Sequence, residues 1–425
     1  RNADLPPRPG RRDCAILKPM EPAMDKPWLR AYPPGVPASL DLDPTESVVD
    51  VVDRAIARFP DRPAFSNLGR TIRYRDLDVL HRCFATWLQS LPGVGPGDRV
   101  AIMLPNLIQY PVALFGTWRA GMVVVNVNPM YTPPELEHQL NDSGAKVLVV
   151  LAQRAGVFAE IRDRVGVRHV LVTGIGDLLG FPRAPLVNLT MRYVRRMPTH
   201  PVPGSVGWSA VAGCDPDDFR QPAPPTGADL ACLQYTGGTT GRSRGAMLTH
   251  ANLVANIRQI NTWFAAERID GEEIMVTPLP LYHVYALMCN CLCYVDTGGH
   301  NILITDPRNI KGLIAELKRW KFTAITGVNT LYQALVEHPD FPSVDFSSLK
   351  IASAGGMAVM PATAKRWMAI TGHMILEGYG LSETSPVASF SPYGQDVRVG
   401  SIGLPVPGVE MKLIDPEAAD AGRFE

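Results

Sequence analysis

Residues Tyr235, Thr236, Gly237, Gly238, Thr239, Thr240, Gly241, Arg242, Ser243, Arg244 and Gly245 run consecutively and concentrate hydroxyls, glycines and cationic groups in one short stretch. Such a stretch suits a polyphosphate. Glycines let the backbone approach phosphate oxygens and turn N–H groups toward them, the Thr and Ser hydroxyls add donors, and Arg244 adds charge. The chemistry this supports is the handling of ATP. Residues 231–235 before the loop read as a buried strand, and 251–264 after it have helical spacing, with Thr249, His250 and Asn252 placed to cap the helix. The spacing predicts a strand that turns through glycines into a helix. The Walker A loop, G-x-x-x-x-G-K-[ST], is a different device, because Arg242 and Ser243 follow Gly241 with no Lys at the required place. A flexible Gly/Ser linker is the bland alternative, which the flanking strand and helix disfavour.

Other groups fit for the same chemistry lie further on. His283 follows Pro-Leu-Tyr at the end of a strand-like run; a lone His in an apolar segment equally reads as a satisfied structural residue. Tyr379 sits between Gly378 and Gly380, fit either for a core or for stacking on a base. Glu383, taken alone, reads as a surface carboxylate.

The elements that must position these groups alternate along the chain. Strand-like runs at 100–104, 123–127, 146–150, 169–173, 230–235, 274–277, 301–304, 322–326 and 349–354 are separated by helical ones. This βαβ pattern predicts an α/β fold with parallel sheets covered by helices and ligands at the carboxyl ends of strands. The Pro- and Gly-rich stretch 198–227 reads as a connector between two lobes, and the shorter strands after Pro386, such as 409–414, as the start of a small β-barrel. The expected division is a tail at 1–28, a first α/β lobe with connector at about 41–227, a second lobe at 228–386, and the barrel start at 387–425, with 29–425 as one nucleotide-binding domain. The tail starts with Arg and is rich in Arg and Pro, without the apolar centre of a secretory signal, and reads as upstream translation or a disordered segment.

The 425 residues suffice for a large core, and 41 Lys plus Arg against 41 Asp plus Glu leave no global field to attract nucleic acid. Seven cysteines, an odd count, lack neighbouring ligands and read as free thiols in a reducing cytoplasm rather than as zinc ligands or disulfides. Two uncharged stretches, 100–118 and 274–295, are each broken by prolines and polar residues and read as buried βα units, not membrane spans. Between Pro185 and Pro198, Leu186, Leu189, Tyr193, Val194 and Met197 recur at helical spacing, with Arg192, Arg195 and Arg196 on other faces. Such a helix either rests peripherally on anionic membrane lipid or docks on its own protein.

Residues 235–245 resemble the signature of the adenylate-forming enzymes, the superfamily of acyl-CoA synthetases, luciferases and peptide-synthetase adenylation domains. Within it, residues 234–250 (QYTGGTTGRSRGAMLTH) resemble the version found in bacterial long-chain fatty acid–CoA ligases. The blocks PLPLYHVYAL at 278–287, FTAITGVNTL at 322–331, EGYGLSET at 377–384 and SIGLPVP at 401–407 agree, and the similarity runs from about residue 41 to about 415.

The resemblance implies two α/β lobes and a β-barrel, followed by a small mobile C-terminal domain that this chain stops short of. It implies activation of a long-chain fatty acid by ATP with Mg²⁺ to an acyl adenylate, then transfer to coenzyme A. Thr236 and Glu383 become the Mg²⁺-linked pair, and Thr236 to Gly241 with Arg244 the phosphate cradle. Arg244 stands where the family usually has Lys, which keeps charge but changes its geometry. Tyr379 matches the aromatic against adenine, Gly355, Gly356 and Met357 the loop on its other side, and Ser382 a hydroxyl for the α-phosphate. His283 matches a histidine that positions substrate where the nucleotide and acyl pockets meet, and Gly327, Val328, Asn329 and Thr330 match the acyl channel. Alternatives are a ligase for medium-chain or aryl acids, an acyl-AMP ligase that loads a carrier protein, and a nucleotide-binding fragment without turnover.

Overall fold

Strands such as β5 (Val147–Leu151), buried at every position, cannot leave a face in water, and parallel pairing under helices is the arrangement that covers both faces. The computed structural model describes residues 26–195, 199–237, 242–394 and 397–413. One sheet has seven strands in the order β7 (Val206–Gly207), β6 (His169–Thr173), β5, β3 (Arg99–Met103), β4 (Val123–Asn126), β8 (Leu230–Thr236) and β9 (Arg244–Thr249). All its pairs are parallel except β8–β9. The other has nine, in the order β16 (Leu404–Pro405), β15 (Val387–Phe390), β14 (Ile375–Gly380), β13 (Ile351–Ala354), β12 (Ala324–Gly327), β10 (Ile274–Thr277), β11 (His300–Leu303), β1 (Pro63–Asn67) and β2 (Arg70–Arg73). It is parallel from β14 to β1 and antiparallel at both edges.

Side-chain alternation along each strand divides the core into layers. Val100 and Ile102 of β3 join a central cluster, which also takes in helices Tyr74–Ser90, Gln109–Arg119 and His250–Trp263, the helical run at 284–296, and inward faces of both sheets. Ala101 and Met103 of the same strand join an outer cluster under helix Pro133–Ser143, and Val276 of β10 joins a second outer cluster under helices Ile310–Arg319, Asn329–Glu337 and Pro361–Thr371. The two sheets therefore share one middle layer of helices. Caps and ion pairs fix those helices in place: Ser47 and Asp50 form a capping box on helix Val48–Arg58, a device worth about 1 kcal/mol. Arg258 reaches both carboxylate oxygens of Asp296 at 2.8 Å, joining two helices of the middle layer.

Several expectations change in three dimensions. Chain order and sheet membership part company, because β8 and β9 (230–249) complete the seven-stranded sheet, whereas β1 and β2 (63–73) lie at the far edge of the nine-stranded one. The stretch after 198 is more than a connector, since β7 returns to pair with β6. After Pro386 the chain closes no barrel among the described residues: β15 and β16 extend the nine-stranded sheet antiparallel, and 409–413 form no strand. An antiparallel neighbour needs only a tight return from β14, which the Ser382–Thr384 turn supplies. Six of the cysteines are described and all six are free; burial pushes the thiol of Cys232 up to about 12. Among the described residues no cluster of metal-ligating side chains is present, and no helix is long and apolar enough to cross a membrane.

Candidate active site

The two strands that flank the glycine-rich stretch, β8 and β9, pair antiparallel as the arms of a hairpin. The spacing predicts a helix directly after the glycines; instead the chain first forms β9, whose Arg244 is the register partner of Thr236 at the end of β8. Helix His250–Trp263 begins one strand later, capped by Thr249 and Asn252 as expected, with Asn252 N donating to Thr249 Oγ1 at 3.2 Å. His250 is not a cap but a buried residue, its Nδ1 accepting from Val48 N at 3.3 Å. Residues 244–249, RGAMLT, carry no strand signal because the strand is half exposed and lacks the apolar run of the parallel strands. Among the described residues nothing stands within 4 Å of a Cβ added at Gly237, as a backbone meant to meet a ligand requires. Gly238, Thr239, Thr240 and Gly241 lie outside the described residues.

Glu383 reaches this hairpin through the nine-stranded sheet. β14 ends at Gly380, and the short helix Ser382–Thr384 that follows packs against both β8 and β9. Thr236, Arg244, Ser382 and Glu383 are thus brought to one place by two different sheets. Among the described residues, the Arg244 guanidinium and the Glu383 carboxylate are exposed and make no ion pair or hydrogen bond with one another or with any neighbour.

Tyr379 is 43% exposed on β14, so it is a surface ring and not a core one. The glycines beside it are required by the packing of the sheet itself. A Cβ on Gly378 would stand 2.8 Å from the Phe390 ring of β15, and one on Gly380 would stand 1.7 Å from the carbonyl oxygen of Pro386, the residue just before that strand. Gly355 is likewise hemmed by the Tyr285 ring, while Gly356 has a φ of 79° with open space beside it, a left-handed turn that glycine adopts without strain. Met357 follows, 52% exposed.

His283 caps the helical run of the middle layer, its Nδ1 accepting from Tyr285 N at 3.3 Å, which leaves Nε2 to carry the ring proton outward. Its surface is exposed, yet desolvation by the atoms around it lowers its pKa. A ring set in a crowded cleft and open on one side reconciles the two. Of the expected acyl-channel residues, Thr330 is exposed, whereas Gly327 is covered by the Tyr332 ring and Val328 packs on an outer core. Asn329 Oδ1 accepts from Met360 N at 2.9 Å, tying this segment to the loop that carries Met357.

Sequence reasoning passed over the polar network that joins these pieces. Gln234 Nε2 donates to Tyr282 O at 3.0 Å, one residue before His283, and Gln234 Oε1 accepts from Asn126 Nδ2 at 3.0 Å. Asn106 Oδ1 accepts from Leu281 N at 2.8 Å, and its Nδ2 donates to the carbonyls of Thr277 and Leu279. Glu377, buried, accepts from Val359 N at 3.0 Å and from Gly400 N at 2.7 Å, so it holds the loop after β13 from behind. The available signal was a lone amide in an otherwise apolar strand, as in β4 and β8, since buried polar groups must find partners. A cavity of ≈ 370 Å³ lined by Gln153, Asp177, Asn188, Arg192 and Tyr193 contains none of the expected site residues.

Comparison with known proteins adds three findings. The model of the family described as AMP-binding enzyme matches residues 52–422. A long-chain-fatty-acid–CoA ligase of Escherichia coli O157:H7 is 48% identical over 396 residues, 93% of this chain and 70% of the relative; one of Haemophilus influenzae is 44% identical over 404 residues, covering 94% and 71%. Among solved structures, an anthranilate CoA ligase in complex with anthranoyl-AMP superposes with a TM-score of 0.77 at 22% identity, over 89% of this chain and 68% of that one, a likeness of fold alone.

Proposed function

The chain belongs to the AMP-binding enzyme family, and from that premise we propose that it is a long-chain fatty acid–CoA ligase, which activates the acid with ATP to acyl-AMP and pyrophosphate and then forms the coenzyme A thioester. The observation that carries this is the meeting of Thr236, Arg244 and Glu383 at one hairpin, with both charged groups unpaired among the described residues. Identity of 48% to a long-chain-fatty-acid–CoA ligase supports the substrate class.

Both half-reactions gather negative charge, so the site must supply donors and cations where it accumulates. Arg244 and the backbone around Gly237 do this for the phosphates. Thr236 and Glu383 offer a hydroxyl and a carboxylate, hard oxygen donors that fit Mg²⁺, which takes few protein oxygens and completes its shell from phosphate and water. When bound, the ion neutralises phosphate charge. Tyr379 offers its exposed face to the base, and Ser382 a hydroxyl to the α-phosphate. His283, neutral with Nε2–H outward, positions the carboxylate without taking a proton. The Gln234–Tyr282 contact keeps the phosphate hairpin and the histidine in register. The enzyme works in the cytoplasm, at the inner face of the cytoplasmic membrane where long-chain acids partition.

Mass spectrometry of reactions containing ATP, Mg²⁺, coenzyme A and a single acid tests this reading. Palmitoyl- or oleoyl-CoA is the expected product. Turnover of benzoate or acetate with none of palmitate or oleate would overturn the substrate class, and acyl-AMP that never passes to coenzyme A would overturn the thioester step.

A further inference from the structure

Between the end of β10 at Thr277 and His283 the chain forms neither helix nor strand, and Pro278 and Pro280 within it have no N–H. A buried segment without a ladder of its own must place its carbonyls elsewhere. Side chains from the seven-stranded sheet and the middle layer take them. Asn106, just after β3, spans Thr277, Leu279 and Leu281. Tyr110, on helix Gln109–Arg119, points its hydroxyl at Leu281 O, 2.8 Å away, and Gln234 of β8 donates to Tyr282 O at 3.0 Å. Asn126, the last residue of β4, stands behind both of these. Its Oδ1 lies 2.6 Å from the Tyr110 hydroxyl, and its Nδ2 donates to Gln234 Oε1 at 3.0 Å. All three side chains are buried.

The direction of every bond in this chain is fixed from one end. A carbonyl oxygen only accepts, so Gln234 turns Nε2 to Tyr282 and Oε1 to Asn126; Asn126 therefore turns Nδ2 to Gln234 and Oδ1 to Tyr110. Tyr110 is left with one hydrogen for two acceptors, Asn126 Oδ1 and Leu281 O. Burial pushes the phenol well above its usual pKa, so that hydrogen stays in place across the working range. An apolar contact would hold 278–283 down and let it slide, whereas a satisfied chain of directional bonds admits one arrangement.

The same chain joins two parts of the site that follow strands of different sheets. Gln234 lies just ahead of Thr236 on β8, and Tyr282 just ahead of His283 after β10. We propose that Tyr110 and Asn126, buried behind the site, are positioning residues that set where the His283 ring stands relative to the β8–β9 hairpin. Asn126 O also accepts from Gln139 Nε2 at 2.8 Å, which anchors helix Pro133–Ser143 to the same residue. What His283 does rests on the ligase reading; that Tyr110 and Asn126 set its place does not. An in-line meeting of carboxylate and phosphorus tolerates little displacement, since a shift of about 1 Å can cost about 10²-fold in rate.

The Cε1–H magnetic resonance of His283, assigned by its loss in His283→Gln, reports the place of the ring without any turnover. It should shift in Tyr110→Phe, which removes one oxygen and keeps the ring, and in Asn126→Ala. Ser389→Ala is the control: it too strips a buried carbonyl of its donor, Ile402 O at 2.7 Å, but on β15, near the edge of the nine-stranded sheet, and should leave the resonance unmoved. In turnover, Tyr110→Phe should lower kcat/KM for the acid roughly tenfold, with KM for ATP within about twofold of the parent value. On a His283→Gln background it should cost nothing further, because it acts through that ring. An unmoved resonance in both Tyr110→Phe and Asn126→Ala overturns the proposal, as does an equal shift in Ser389→Ala or full additivity with His283→Gln. Absence of turnover by the unaltered protein with every acid would instead sink the ligase reading, and the resonance alone would then decide the positioning role.

Discussion

Tyr235 donates its phenolic hydrogen to Asp142 Oδ2 at 2.5 Å, and through this bond helix Pro133–Ser143 grips the β8–β9 hairpin just outside Thr236. The same helix holds the other arm, with His138 Nε2 donating to Ser243 O at 2.9 Å. Burial, and then the Asp142 carboxylate, push the phenol well above its usual pKa, so the tyrosine stays a donor throughout the working range.

Loosening this clamp should be felt at the nucleotide. Asp142→Ala leaves the phenol without its acceptor, a loss of about 1–2 kcal/mol in stability, and should raise KM for ATP several-fold while leaving KM for the acid nearly unchanged. Tyr235→Phe should reproduce the KM effect. Initial rates with each substrate varied, alongside thermal melts, give the answer; a lower Tm with no change in either KM would reduce the clamp to a structural contact.

Thr236→Val and Glu383→Gln should damage adenylation far more than folding, since neither side chain has a partner among the described residues. Loss of a charge-stabilising group in such a site costs about 10²–10³-fold in rate. Pyrophosphate release is the measurement. Near wild-type release by both variants would remove these residues from the mechanism.

Two glycines should respond in opposite ways. A Cβ at Gly380 would meet the Pro386 carbonyl at 1.7 Å, so Gly380→Ala should cost about 3 kcal/mol in stability. Among the described residues none comes within 4 Å of a Cβ added at Gly237, so Gly237→Ala should melt like the parent and lose rate instead. Denaturant unfolding and turnover of the pair separate the two; equal stability in both variants would contradict the crowding at β15.

Acid should destabilise the fold through its buried histidines. Burial lowers the pKa of His250 to about 4, with Asp229 and Asp50 opposing the shift, and His300 is lowered likewise to about 4. In the unfolded chain each binds its proton near pH ~6.5, so the unfolded state holds more protons between those values. The stabilisation is complete above that range and is lost as pH falls toward 4, by roughly 3 kcal/mol for His250. His250→Gln should remove its share of the decline in urea unfolding between neutral and mildly acidic pH. Parallel declines in the variant and parent would assign the acid limit to other groups.

Part of the site was legible before folding because its chemistry is local. The hydroxyls, glycines and cations of 235–245 are contiguous, and a polyphosphate cradle asks for little else. The bond from Gln234 to Tyr282 was not legible, nor was the grip of His138 and Asp142, because these groups lie 48, 105 and 93 positions from their partners and a lone polar residue does not announce which distant atom it satisfies. Strand β9 was hidden for another reason: a half-exposed antiparallel strand has no continuous apolar run, and the glycines before it read as well toward a helix as toward a hairpin.

By itself the sequence determined the α/β class and the nine buried strands, because local burial pattern dictates these, and it nominated a run of residues whose chemistry suits phosphate. Only the tertiary structure decided that the Glu383 helix packs on the Thr236 hairpin, that Gly378 and Gly380 yield space to Phe390 and Pro386, and that 183–194 both docks inward and stays apolar outside. Each of these depends on which strand lies beside which. Pairing order joins segments far apart in the chain, β4 with β8 and β1 with β11, and is settled by the packing of two sheets on one shared layer of helices.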